Sequence, residues 1–301
     1  MITASIVTYH NRASDINRVI DCVLRSPIDK LYIIDNSRND SLRRLEQKSS
    51  RISYIHNANI GYGGAHNIAI RESMEFGSDY HVVVNPDIYF EIGVIESITA
   101  YMESNQDVGW VMPRVVYPNG ELQYLCKLLP TPSDLILRRF IPGWMFRHHR
   151  KRFELRQFGY DRELNVPYLS GCFMFLRVEA LKKVGLFDER FFMYGEDIDL
   201  SRRMHSEYKT MYYPDVTIVH AHEQASYKSR RMMWVHIFNL IKYFNKWGWF
   251  FDKERRRINK QIYWVLANGF KAPYTHEEGI ARTLKFEFIH PRTDDITFKS
   301  E

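Results

Sequence analysis

The feature that most constrains this chain is a regular alternation. Through the first third, short apolar runs rich in strand formers are separated by segments of helical length. ASIVTY, LYIID, ISYIHN and YHVVVNPD read as strands. The polar segment through Leu24, Asn39 to Lys48, and GGAHNIAIRESMEFG read as helices, the last with Ile68, Ile70, Met74 and Phe76 at helical spacing. Val94 to Glu103 reads as another. Strands separated in this way predict a parallel, Rossmann-like α/β sheet flanked by helices. WVMPRVVYP, YLSGCFMFL and TMYYPDVTIVHA read as later strands, with Pro214 predicting an edge or an irregular start.

Length and composition permit such a fold. The 301 residues suffice for one large α/β domain with a tail or for two small domains, and the 45% apolar fraction supports a real core. Cys22, Cys126 and Cys172 lie far apart and form no CxxC pair, so zinc and redox roles are not expected and a reduced cytoplasm is. MITASIVTYHN has neither a basic start nor a long apolar run, so no signal peptide is expected; no uncharged stretch of about 20 apolar residues predicts a membrane span. Residues 127–160 hold three prolines and read as a long insertion or mobile loop. Charge is uneven. Residues 225–260 carry ten Lys/Arg against two Asp/Glu, and 138–156 carry seven against one. The body is therefore acidic, and two basic segments point to anionic surfaces as partners.

In open α/β sheets, ligands sit beyond the carboxyl ends of the strands. Those ends are Thr8 to Asn11, Asp35 to Ser37, Asn57 to Gly64 and Asn85 to Asp87, rich in polar residues and glycine. Asp35 suits a nucleotide's ribose or base and, equally, an Asp-Asn turn. Gly61, Gly63 and Gly64 permit close approach of a phosphate before a helix start, and a plain glycine turn explains them as well. Asp87, behind the rigid Pro86, is a hard oxygen ligand for Mg²⁺ or Mn²⁺ whose shell diphosphate oxygens would complete; an Asx-type turn is the alternative. His220 and His222 share a strand face and could join Asp87. In FFMYGEDIDLSRR, Glu196, Asp197 and Asp199 open a helix, where the dipole favours acids. The dipole does not explain the preceding aromatic run, which would raise a carboxylate's pKa and make it a better base.

Taken in order, SIVTYHN, IIDNS, NIGYGGAHN, NPD, YLSGCFMFLRVEAL, GLFDERFFMYGEDIDLSRR and VHAHEQAS resemble the inverting glycosyltransferases of family 2, with the GT-A fold and its mixed, mainly parallel sheet. The resemblance covers residues 1–250 and is strongest to the rhamnosyltransferase-like branch that builds bacterial surface polysaccharides. It implies that Asp35 binds the nucleotide base with Thr8 and Tyr9 nearby, and that Asn59, Gly61, Gly63 and Asn85 belong to the donor-binding side. Asp87 would hold the metal, Mg²⁺ or Mn²⁺, standing where the family has DxD with only its last acid present. His220 would approach the metal or diphosphate, with His222 the alternative. Asp197 would be the catalytic base and Glu196 would cap or orient the site. Arg202 would hold phosphate or the helix, and Ser170, Gly171 and Cys172 would line the donor–acceptor boundary. The implied reaction moves a sugar from dTDP-rhamnose or a UDP-sugar to a lipid-linked glycan of O-antigen or capsule. The implied domains are residues 1–226, catalytic, divided into a nucleotide half 1–110 and an acceptor half 111–226, then a helical basic extension, 227–301.

That extension is aromatic and basic together. His236, Asn239, Lys242 and Lys246 recur near helical spacing and leave a broad apolar face. It suits an interfacial helix on the anionic inner membrane surface, or a helix packed on the catalytic domain. No nucleic-acid motif accompanies the charge, and an oligomer is compatible with the sequence. Two other functions compete. A sugar-nucleotide pyrophosphorylase would carry a glycine-rich basic loop near the amino terminus, which TASIVTYHNRASD lacks. A non-catalytic nucleotide-sugar binder would not require the Glu-Asp pair together with Asp87.

Overall fold

A computed structural model describes residues 1–135, 147–221 and 230–268. Met1–Ile262 forms one compact unit and Tyr263–Glu301 a second, of which residues 263–268 are described. The first third follows the expected order: β1 (Ile2–Thr8), α1 (Ala13–Arg25), β2 (Lys30–Asp35), β3 (Ile52–His56), α2 (Tyr62–Glu75) and β4 (Tyr80–Val84). Then come β5 (Ile88–Phe90), α3 (Val94–Ser104), β6 (Val108–Val116), α4 (Pro132–Leu135), α5 (Arg147–Phe153), β7 (Leu164–Asn165) and β8 (Phe173–Arg177). The chain continues through α6 (Val178–Val184), α7 (Glu196–Glu207), β9 (Lys209–His220), α8 (Arg230–Trp247) and α9 (Lys253–Asn268).

One sheet runs β3-β2-β1-β4-β8-β6-β9-β5, with β7 also on β9. β3, β2, β1 and β4 are parallel, and β6 is parallel to β9; β8 is antiparallel to both β4 and β6. The sheet is therefore mixed, as expected. Its parallel half is buried on both faces: Ala4, Ile6, Ile33, Ile34, Val82 and Val83 are inaccessible. Tyr32 and Ile34 pack against Ala65 and Ala69, whose small side chains let α2 lie close to the strands.

Four local expectations change. Asn39 to Lys48 contains a 3₁₀ turn, Arg43–Lys48, where the sequence predicts an α-helix. Its buried apolar residues, Leu42 and Leu45, are three apart, the repeat of a 3₁₀ helix. In YLSGCFMFL only Phe173 onward is strand, because the chain turns at Gly171 and Cys172. In the predicted loop 127–160, the described parts are packed, with Leu129, Phe153, Leu155, Phe158 and Tyr160 buried. Residues 136–146, with part of the basic segment 138–156, lie outside the described residues. Pro214 lies inside β9, which is paired on both sides, and not at the expected edge or strand start. It lies where the β6–β9 register jumps from Pro113↔Tyr213 to Arg114↔Thr217, the irregularity that a residue without an N–H suits.

A polar network under α2 has no counterpart in the sequence reading. Ser5 Oγ lies 2.8 Å from both His66 Nδ1 and His81 Nε2, and Thr3 Oγ1 lies 2.8 Å from His81 Nδ1. Burial pushes the His66 pKa well down and that of His81 to about 3, so both are neutral core residues.

Candidate active site

The parallel register sets the strand ends side by side: Thr8 pairs with Asp35, and Asp35 with His56. Asp35 is buried. Its Oδ1 accepts from Ser37 N–H at 2.9 Å and its Oδ2 from Tyr54 O–H at 2.7 Å, so it shapes the loop that follows β2. Two buried oxygens beside it, Thr8 Oγ1 and Asn36 Oδ1, have no hydrogen-bond partner. Such atoms are costly unless a ligand or water meets them. Tyr9 is exposed at the same edge. A polar cleft of about 340 Å³ opens there, lined by His10, Asn11, Arg12, Ser37, Ser41 and Arg44.

The glycines of NIGYGGAHN serve packing. Gly61 has φ +87°, and a Cβ there would collide with the Phe192 carbonyl; one at Gly63 would sit 2.9 Å from Phe187 Cβ. Exposed Asn59 caps the turn, its Oδ1 accepting from Gly61 N–H at 3.2 Å. Tyr62, which follows, is a residue that sequence reasoning missed. Its N–H donates to Phe192 O at 2.9 Å. Its hydroxyl proton is shared between Gly171 O at 2.7 Å and Asn85 Oδ1 at 2.9 Å. Tyr62 thus ties the glycine loop, the Asn85-Pro86-Asp87 turn and the turn at Gly171 together. It carried no signal because a tyrosine before two glycines is chemically unmarked.

The pairing of Asp87 with His220 comes from β5, a three-residue strand that the sequence did not reveal. Ile88 is in register with His220, and Ala221 N–H donates to Asp87 O at 3.0 Å. His220 Nε2 then lies 3.4 Å from Asp87 Oδ1. Gln123 holds the ring from behind, its Oε1 2.9 Å from His220 Nδ1 and its Nε2 donating to His220 O at 2.8 Å. Burial opposes a charge on His220, but Cys172 and the Asp87 carboxylate favour it, and the balance lifts its pKa to about 10. A ligand role requires that proton to leave. One carboxylate and one imidazole fixed by an amide fit a divalent cation whose other ligands come from substrate and water. Among the described residues no cluster of three His, Cys, Asp or Glu could enclose one. His222 lies outside the described residues.

The start of α7 completes the site. Asp197 is half-buried; its Oδ2 accepts from Gly171 N–H at 3.2 Å and its Oδ1 from Ile198 N–H at 2.9 Å. Gly171 permits this approach, since a Cβ there would lie 3.0 Å from Asp197 Cβ. Ser170 is half-buried and Cys172 buried in the same turn. Burial raises the Asp197 pKa although Lys127 and the backbone donors oppose the shift. Glu196 is buried, and its Oε2 has no hydrogen-bond partner. Burial and the neighbouring Asp197 push its pKa well up, so Glu196 holds its proton more tightly than an ordinary glutamate. Arg202 is not brought to this site. It makes a buried bidentate pair with Asp252, at 2.6 and 2.8 Å, and a contact with Glu254 at 2.7 Å.

The family described as Glycosyl transferase family 2 matches residues 5–185. N-acetylglucosaminyl-diphospho-decaprenol L-rhamnosyltransferase of Mycobacterium tuberculosis is 29% identical over 178 residues, 54% of this chain and 56% of that protein. The chain thus spans little more than half the length of that relative. Rhamnosyltransferase WbbL of Escherichia coli is 25% identical over 71% of this chain and 81% of its own. The mannosyltransferase PcManGT of Pyrobaculum calidifontis, solved with GDP-Man and Mn²⁺, superposes with a TM-score of 0.51 at 15% identity, covering 94% of this chain and 78% of its own. The fold is that of the GT-A glycosyltransferases, and with the family match spanning both the cleft beside Asp35 and the turn at Asp87, the chain belongs to glycosyltransferase family 2.

Proposed function

We propose that this chain is an inverting glycosyltransferase that moves a sugar, rhamnose by similarity to its relatives, from a nucleoside-diphosphate donor to a lipid-linked glycan acceptor. One observation carries the reading: a carboxylate of raised pKa, Asp197, is joined through Gly171 and Tyr62 to the Asn85-Pro86-Asp87 turn. A base and a diphosphate-facing acid held in one frame suit a single displacement. In this reading residues 1–226 carry the chemistry and the helices from 227 onward brace it.

The nucleoside occupies the cleft at the ends of β1 and β2, lined by His10, Asn11 and Ser37, close in sequence to the buried residues Thr8 and Asn36. Asp87 and His220 would hold Mg²⁺ or Mn²⁺, which when bound neutralises charge on the departing diphosphate. Asp197 takes the proton of an acceptor hydroxyl; that oxygen forms a bond to the anomeric carbon as the bond to the nucleoside diphosphate breaks. The configuration inverts, and no sugar is attached to the protein. Gly171 N–H and the start of α7 keep Asp197 aimed while its burial keeps it basic. A lipid-linked acceptor implies work at the inner face of the cell membrane. Among the described residues, no helix is long and apolar enough to cross a membrane.

The test is release of nucleoside diphosphate from a panel of nucleotide sugars, with dTDP-rhamnose and UDP-sugars included. Slow hydrolysis of one donor, abolished by Asp197→Asn, is expected. Tight donor binding without release would favour a binding protein, and nucleoside triphosphate formed with added pyrophosphate would favour a pyrophosphorylase.

A further inference from the structure

The expected interfacial face of α8 is only partly available: Trp234 and Phe238 are exposed, but the rest of the face is not. Leu240, Tyr243 and Phe244 are buried against the body, and Asn239 donates to Met193 O at 2.8 Å. The contrast lies at the corner between α8 and α9. Phe250 and Phe251 are 66% and 89% exposed there. Immediately after them, Lys253, Arg256, Arg257 and Lys260 are all exposed on α9. Their spacing of three, four and seven puts them on one helical face. Arg255, Ile258 and Ile262 are buried on the opposite face. Arg256 also donates to Phe250 O at 3.0 Å, which ties the stripe to the aromatic corner.

We infer that this corner is a docking surface for an anionic lipid bilayer. Two bare aromatic rings offer apolar area at a cost no soluble surface requires, and a four-cation stripe beside them complements phosphate headgroups. The arrangement suits shallow insertion of Phe250 and Phe251 with the lysines and arginines at headgroup level. Outside residues 225–260 and the basic segment 138–156 the sequence is net acidic, which disfavours approach by the remaining faces. The inference rests on the lipid-linked acceptor reading for its purpose, but its test does not use an acceptor.

The experiment is sedimentation of the full chain with acceptor-free vesicles, either phosphatidylcholine alone or phosphatidylcholine with phosphatidylglycerol. Binding is expected only with phosphatidylglycerol, and it should weaken as salt rises. The triple variant K253E/R257E/K260E, which leaves Arg256 on Phe250, should partition about a hundredfold less. F250S/F251S should also release the protein, while circular dichroism and donor hydrolysis stay at wild-type level. Equal binding to both vesicles, or unchanged binding of both variants, overturns the inference. If vesicle binding fails while donor hydrolysis persists, the surface falls and the transferase reading stands. If vesicle binding persists while no donor is hydrolysed, the surface stands and the transferase reading falls.

Discussion

The first two acids of α7 and the charges that follow them are in opposite conditions. At its start, Glu196 and Asp197 are adjacent carboxyls; Asp197 meets two backbone N–H groups and, at 3.5 Å, the Tyr168 hydroxyl, and burial lifts both pKa values. From Asp199 to Arg203 every charge is matched. Asp199 receives Arg203 at 2.9 Å, Lys246 at 2.6 Å and the Trp247 indole at 2.7 Å, while Arg202 grips Asp252 and Glu254 and stacks on Trp247. Lys246 and Trp247 come from α8, and Asp252 and Glu254 from the corner and α9. The helix is anchored from behind so that its front can keep carboxylates in an electrostatically unfavourable state. Strain at a reactive group persists only where neighbours over-determine its position.

The comparison breaks most readily at the front. Asp197→Asn keeps shape but removes the base, and kcat should fall by roughly 10²–10⁴ with donor affinity near wild type. Glu196→Gln should cost far less; the reverse ranking would exchange their roles. Next, Asp87→Ala should abolish the Mn²⁺- or Mg²⁺-dependent part of donor binding while leaving free nucleoside binding, read by calorimetry. Arg202→Met tests the rear. It removes the bidentate partner of buried Asp252, leaving only Arg255, and should cost up to about 3–5 kcal/mol in denaturant unfolding. If stability is unchanged and only donor binding falls, Arg202 serves the site after all.

Tyr62→Phe is subtler. It leaves the Gly171 carbonyl without its hydroxyl donor, so about 1–3 kcal/mol of stability is expected to go. Because the loosened turn carries Asp197, kcat should fall by roughly tenfold while donor KM holds. The smallest effect concerns pH. Glu196 has a folded pKa above its unfolded value of 4.5, so the folded protein keeps a proton the unfolded chain has lost. Its contribution to stability is full below pH 4.5 and is lost as pH rises toward the folded pKa. Glu196→Gln should flatten that slope in unfolding curves measured across this window. For the same reason kcat/KM, which needs Asp197 deprotonated, should rise with pH through a pKa above that of an ordinary aspartate.

Much of the frame was legible in the residues alone. Strand and helix periods, the polar strand ends and the Glu-Asp pair after an aromatic run are local patterns, and local patterns survive folding. Of the proposed site, Asp87, Asp197 and His220 were marked by their chemistry. The site was not legible at Tyr62 or Gln123, whose importance comes from partners 109 and 97 residues away. The run Arg255, Arg256, Arg257 reads as one basic patch. In the fold Arg255 is buried, donating to Pro130, Gly248 and Trp249 carbonyls, while its two neighbours are exposed. Adjacent helix residues point about 100° apart, so only the packing of α9 could separate them.

By itself, then, the sequence determined the α/β class, the parallel half of the sheet and which strand ends carry reactive groups, because hydrophobic period and residue chemistry are properties of short segments. Tertiary structure decided the rest. It placed Asp35 under Ser37 and Tyr54 in a buried role, seated His220 beside Asp87 through a three-residue strand, and turned Arg202 away from the site into an ion pair. Each of these depends on where a distant segment lands, and a hydrogen bond forms only when both partners come within about 3 Å.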